Sequence, residues 1–261
     1  MNIFEMVTQY LPLPVVAIAV LFAMIVSREI GAKLNVALRP LLLPPEPVRV
    51  NESHIVAAIM GLLLLLASFS FFLTLDRYEL RRSLVVSEAS VLQEAYRQTS
   101  FLDDPASLRA SLSAYAEARL AYGMAGERER RAKARAAIKL QDRVWQAAMA
   151  SVQPLRSGPL PGVIVAPIND AFDIAAQRNA LADTRLPPRI LVLLALCILV
   201  MTGILGFTTA AAGGRHRLGS FLLFGLITLM IVLILDVDRP RGGAFRVPQT
   251  PMADAVAAMK P

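Results

Sequence analysis

The residues of this 261-residue chain most able to do chemistry are three charges set within an otherwise apolar helical arc. In DRYELRRSLVVSEASVLQEAYR, residues 76–97, a helical turn of roughly 100° per residue places Leu80, Leu84, Val85, Ala89, Val91, Leu92, Ala95 and Tyr96 on one arc. Ser83, Ser90, Gln93, Glu94 and Arg97 fall opposite. Arg77, Arg81 and Glu88 project from inside the apolar arc, where an unpaired charge is costly. Two chemistries satisfy them. Either Arg77 and Arg81 sit at lipid headgroups and Glu88 pairs with an arginine of a neighbouring helix, or all three border a water-filled ion path. Just upstream, Phe69 and Phe72 share one helix face, which packs against lipid or protein in a single copy and forms an apolar ring when copies gather round an axis.

Other chemistry has little material. No phosphate-binding nucleotide loop, paired CxxC, HExxH or GxSxG elbow occurs, and the two histidines, His54 and His216, lie in loops of unrelated composition. The sequence therefore predicts no catalytic residue, no metal site, no cofactor and no enzymatic activity. Carboxylate pairs at Asp103 and Asp104 and at Asp170 and Asp173 read as a helix cap and a solvated face. Asp236 and Asp238 end an apolar run, where they either pair with Arg239 or Arg241 or line the mouth of a pathway. The basic run from Arg128 to Arg135 reads as a solvated helix face, with an anionic lipid or a phosphorylated ligand as the alternative. The single cysteine, Cys197, lies in an apolar run and can form no internal disulfide.

The elements that must carry these residues are apolar helices. A hydrophobic content of 56% and a mean hydropathy of +0.54 exceed the usual range of soluble domains and define an integral membrane protein. The formal charge of +7 is dispersed, without a basic stripe interleaved with aromatics, which argues against nucleic acid and for a lipid bilayer as partner. The predicted fold is all-α, with four transmembrane helices and a helical extramembrane domain inserted between spans two and three. Residues 1–53 hold the first span, about Leu11 to Ser27, then an interfacial helix and a proline-rich run through Pro44, Pro45 and Pro47. Residues 54–98 form a second span, His54 to Leu75, continuing unbroken into a wet helix. Residues 99–189 are the helical domain, whose helices begin near Asp104 and Pro105, at Glu127 and at Val163. Residues 190–235 are a hairpin of spans, about Ile190 to Ala212 and Leu218 to Leu235. In the tail, residues 236–261, Phe245 and Val247 suggest an extended piece lying against the helical domain, with frayed last residues. Arginines near both membrane faces tilt the termini and the domain only slightly toward the cytoplasm.

The run DRYELRRSLVVSEASVLQEAYR after a membrane span, INDAFDIAAQR followed by two prolines and a third span, and the tail LDVDRPRGGAFRV together resemble the bestrophin-like family of bacterial and plant membrane proteins. The similarity runs from about His54 to Val247, and its most specific positions are Glu88, Ala89 and Arg97, with Asp238, Arg239, Pro240, Gly243 and Val247 in the tail. Kinship with bestrophins implies a homo-oligomeric channel, a pentamer by analogy, that conducts inorganic ions, more often anions, through a pore lined by the second span. It also implies a multi-pass protein of a bacterial cytoplasmic (inner) membrane with both ends cytosolic. A narrow apolar neck containing phenylalanine would fall at Phe69, Phe72 or their helical neighbours, and Arg77, Arg81, Glu88 and Arg97 would shape the path beyond it. The calcium-binding acids of bestrophins have no recognisable counterpart here. The alternative function is a non-conducting scaffold or sensor whose helical domain binds a protein or lipid partner, with the same charges serving as interhelical pairs.

Overall fold

Long runs of Leu, Ile, Val, Ala and Phe without internal breakers leave the backbone one economical solution in hydrocarbon, an α-helix that satisfies its own donors and acceptors. The computed structural model describes residues 11–42, 53–155, 158–182, 184–211, 217–239 and 243–260, and among them there is no β-strand. The helices are α1 (Leu13–Leu42), α2 (Ser53–Gln98), α3 (Ala106–Met124), α4 (Glu127–Val152), α5 (Leu160–Leu181), α6 (Pro188–Ala211), α7 (Arg217–Asp238) and α8 (Thr250–Ala258). Four of them, α1, α2, α6 and α7, are long and apolar enough to cross a membrane. The chain is an all-α membrane protein.

Two compact units divide it, one of residues 1–76 and 185–239, the other of residues 77–184 and 240–261. In the first, α1 packs along α6 and α7. Met24, Leu63, Leu194, Met201, Phe224 and Ile234 form part of its core. The α1–α6 crossing is a backbone-to-backbone contact made possible by small residues. A Cβ on Gly31 would lie 1.9 Å from the Gly203 carbonyl oxygen, and one on Gly206 would lie 2.0 Å from that of Arg28. Ser27 Oγ donates to the Leu199 carbonyl across the same seam at 2.6 Å. Buried hydroxyls elsewhere satisfy themselves on the preceding turn, Ser70 on the Leu66 carbonyl and Thr202 on that of Ile198. Large apolar side chains such as Ile18, Phe22, Leu222 and Leu226 point outward, as a lipid solvent requires.

In the second unit the wet half of α2 contributes Val85, Ala89, Leu92 and Ala95 to a core shared with α3, α4, α5 and α8. Tyr115 of α3 meets Phe172 of α5 edge to face, with centroids 5.5 Å apart. Asp104, the expected cap, stands one position before the observed one, Pro105, and its Oδ1 still accepts the Ala106 amide at 3.2 Å.

Three expectations change. The first span and the interfacial helix are one helix, α1, since Arg28 and Glu29 pair with each other at 2.7 Å and nothing between Pro14 and Leu38 breaks the turn. The last residues are not frayed. They form α8, whose Met252, Ala255, Val256 and Met259 recur at helical spacing and are buried against the core. Val247 does pack on that core, but Phe245 is exposed. The expected proline-rich run through Pro44, Pro45 and Pro47 and the hairpin loop with His216 lie outside the described residues.

Candidate functional site

Helix α2 is unbroken for 46 residues, because from Leu62 onward it contains neither Gly nor Pro. Residues three and four apart share a face, so α2 has two opposed stripes. The inward one runs Leu63, Ala67, Ser70, Thr74, Arg81, Val85, Glu88, Leu92 and Ala95, all buried. The opposite stripe runs Leu65, Phe69, Phe72, Asp76, Glu79, Ser83, Val86, Ser90, Glu94 and Arg97, and every one of these is exposed. Its own chain therefore leaves one side of α2 bare from the apolar half into the polar half. Phe69 and Phe72 are 55% and 63% exposed on it. Arg97, on the same side, closes the last turn, where a cation suits the helix dipole.

Arg81 and Glu88 lie on the inward stripe, where both find partners inside the chain. Arg81 Nη2 donates to the Thr184 carbonyl at 2.7 Å. Glu88 is fully buried and is held by two arginines. Arg119 of α3 grips it with two nitrogens, Nε on Oε1 and Nη2 on Oε2, the latter at 3.2 Å. Arg178 of α5 donates Nη1 to Oε2 at 2.5 Å. Of the two alternatives for Glu88, interhelical pairing is the one the fold realises. Arg77 differs, since it is half-buried and its Nη1 meets no hydrogen-bond acceptor among the described residues.

Around the carboxylate the remaining donors are placed with equal economy. Arg119 Nη1 reaches Asn179 Oδ1 at 3.2 Å, and Arg178 Nη2 reaches Gln249 Oε1 at 2.5 Å. The Tyr122 ring lies under both guanidiniums, 4.7 Å from Arg119 Cζ and 5.9 Å from Arg178 Cζ. Gln249 arrives through a gap that only glycine leaves, because a Cβ on Gly123 would stand 2.0 Å from Gln249 Oε1. One carboxylate thus serves two buried cations. Burial is the largest single influence on each guanidinium and works against its charge. The two-pronged contact with Glu88 outweighs it at Arg119, which is raised, whereas Arg178, with one contact and Arg119 beside it, is lowered. Burial likewise pushes the Tyr115 phenol up to about 12, with Arg119 opposing.

The tail residues have a structural task at the end of α7. Asp238 Oδ1 accepts the Leu186 amide at 2.9 Å, fastening the segment that leads into α6, and Arg239 Nη2 donates to the Leu11 carbonyl at 2.8 Å, ahead of α1. Asp236 is buried beside them. Gly243 is half-buried, and Pro240 lies outside the described residues.

Arg119 and Arg178 were not foreseen as partners, although the signal that singles out Glu88 applies to them. Arg119 continues the stripe Leu108, Leu112, Tyr115 and Ala116, and Arg178 continues Ile164, Ile168, Ala171 and Ala175. Opposite charges in the apolar stripes of successive helices predict one another. Compared with known proteins, the chain matches the family model of the bestrophin-like domain over residues 49–252. No curated protein and no solved structure matches it.

Proposed function

The chain belongs to the bestrophin-like family of membrane proteins, and on that premise we propose that it forms a homo-oligomeric ion channel whose path is lined by α2. The single observation that carries this reading is the bare stripe of α2, exposed along both its apolar and its polar half. Copies of that stripe arranged round an axis would set Phe69 and Phe72 as an apolar constriction able to stop ions by dewetting, followed by a vestibule of hydroxyls and charges. A pentamer is favoured by family analogy, in a bacterial cytoplasmic membrane with the helical unit and both termini in the cytoplasm. No enzymatic role is proposed.

Family kinship implies anions. The charges on the stripe lean less clearly, because Asp76 and Glu94 stand on it against Arg97, while Glu79 lies 3.7 Å from Arg82 and Arg81 is engaged within its own subunit. The ion's sign is read from the reversal potential of the purified protein in asymmetric potassium chloride. Phe72→Ala should widen the constriction and raise unitary current. Absence of current over a broad range of ions, voltage and pH, with a particle lacking an axial opening in cryo-EM projections, would leave the scaffold or sensor, to which the in-chain pairing of Glu88 is also suited.

A further inference from the structure

The helical unit contains a cavity of about 470 Å³ whose walls come from four separate stretches of chain. Arg81 of α2, Arg178 of α5 and Arg246 of the tail line it, together with Gly123, Gly126 and Gln249, and no carboxylate is among its lining residues. Its charge is therefore of one sign. Arg81 and Arg178 are buried, so their guanidiniums are held in place rather than sweeping through water, and Arg246 is exposed at the rim.

Behind this wall the charge is not balanced. Glu88 is shared by Arg119 and Arg178, which leaves the buried trio with one cation in excess, and Arg178 is the member that reaches the cavity. Guanidinium forks match the oxygens of phosphate and carboxylate, and a phosphate monoester brings close to two negative charges with three acceptor oxygens. The volume is far larger than the roughly 30 Å³ of one water, so a halide would leave it mostly unfilled. Gly126 adds to the same field, since it begins α4 without a side chain to cap the first amides. Glu127 and Glu129 of that turn oppose it, but Glu127 is exposed and turned to Arg130 at 3.4 Å.

We propose that this cavity is a binding site for a phosphate group, carried either by a soluble phosphorylated small molecule or by a lipid headgroup, with Arg81, Arg178 and Arg246 as its ligands. The site stands on the helical unit alone and does not require the channel reading. Bound there, a phosphate joins α2, the end of α3, α5 and the tail, and the unit holding it melts later.

The test uses the full chain and the fluorescence of Trp145, its single tryptophan, which lies on α4 of this unit. Melting is followed in detergent with inorganic phosphate or phenyl phosphate against sodium chloride of equal ionic strength, and in nanodiscs containing phosphatidic acid, a phosphate monoester, against nanodiscs matched in net charge with phosphatidylglycerol, a diester. A saturable rise in Tm with the soluble phosphates identifies a soluble ligand, and a rise confined to phosphatidic acid identifies a headgroup. In either case Arg246→Glu should weaken the effect by about tenfold or more, while Arg135→Glu on α4 leaves it intact. Arg246 is exposed, so its variant folds, and equal unliganded melting of the two variants checks this. No shift with any phosphate probe, an equal shift with chloride, or a shift unchanged by Arg246→Glu overturns the proposal.

Discussion

Replacing Glu88 by Gln keeps the shape of the side chain and removes its charge, leaving the guanidiniums of Arg119 and Arg178 buried with no anion between them. Both arginines keep one neutral acceptor, Asn179 Oδ1 and Gln249 Oε1, so hydrogen bonding is only partly lost while the charge is left uncompensated. Breaking one side of a buried ion pair costs about 3–5 kcal/mol. The helical unit, residues 77–184 and 240–261, falls between the sizes that lose about 4–8 and about 2–4 °C of Tm per kcal/mol, so at roughly 3–6 °C per kcal/mol it should melt about 9–30 °C earlier. Trp145 reports that unit, and the change is read by its fluorescence on heating in detergent. A second variant separates charge from packing. Changing Glu88, Arg119 and Arg178 all to Met removes every charge, and such replacements of buried ionic groups range from neutral to about 4 kcal/mol stabilising. Recovery of most of the lost Tm in the triple variant is therefore expected. A Glu88→Gln protein that melts within about 3 °C of the parent would refute the assignment of a dry, charge-compensating carboxylate.

Two further outcomes follow from other parts of the molecule. Gly206→Leu drives a side chain into the Arg28 carbonyl of α1 and should cost about 2 kcal/mol or more, seen as unfolding at lower SDS fraction, whereas Gly219→Leu, which meets open space, should be tolerated. The buried Tyr115 phenol, at about 12, is raised above its unfolded value of 10.0, so its stabilising effect is fully present below pH 10 and is lost as pH climbs through 12. Across that window it amounts to about 3 kcal/mol, and Tyr115→Phe should remove the corresponding part of the alkaline slope of Tm while forfeiting the Gln141 hydrogen bond of 3.0 Å.

The four spans and the helical insert were legible because apolar length and breaker positions act locally, within a window that can be read along the chain. Charges inside the apolar stripe of α2 were equally legible as costly, but their resolution was not, since it depends on which residues of α3 and α5 arrive opposite. Glu88 finds its partners 31 and 90 residues away, a pairing no local periodicity encodes. The expected pairing of Asp236 or Asp238 with Arg239 agrees with the attraction both acids exert on that guanidinium; what the local sequence does not reveal is that Asp238 and Arg239 each also hold a backbone group of a distant segment. Helix α8 was missed for a different reason. Its apolar stripe fills only nine residues, too short a window to stand out, and its stability comes from burial against the core rather than from propensity.

The helical unit is assembled from residues 77–184 and 240–261, so its two pieces leave the ribosome on either side of the last membrane hairpin. At roughly 5–20 residues per second, the 66 positions from Thr184 to Thr250 delay the closing helix by about 3–13 s. Through that interval Arg178 has no Gln249 to meet and the core lacks Met252, Ala255 and Val256, so the second unit reaches its full set of contacts only after the last two long apolar helices have been synthesised.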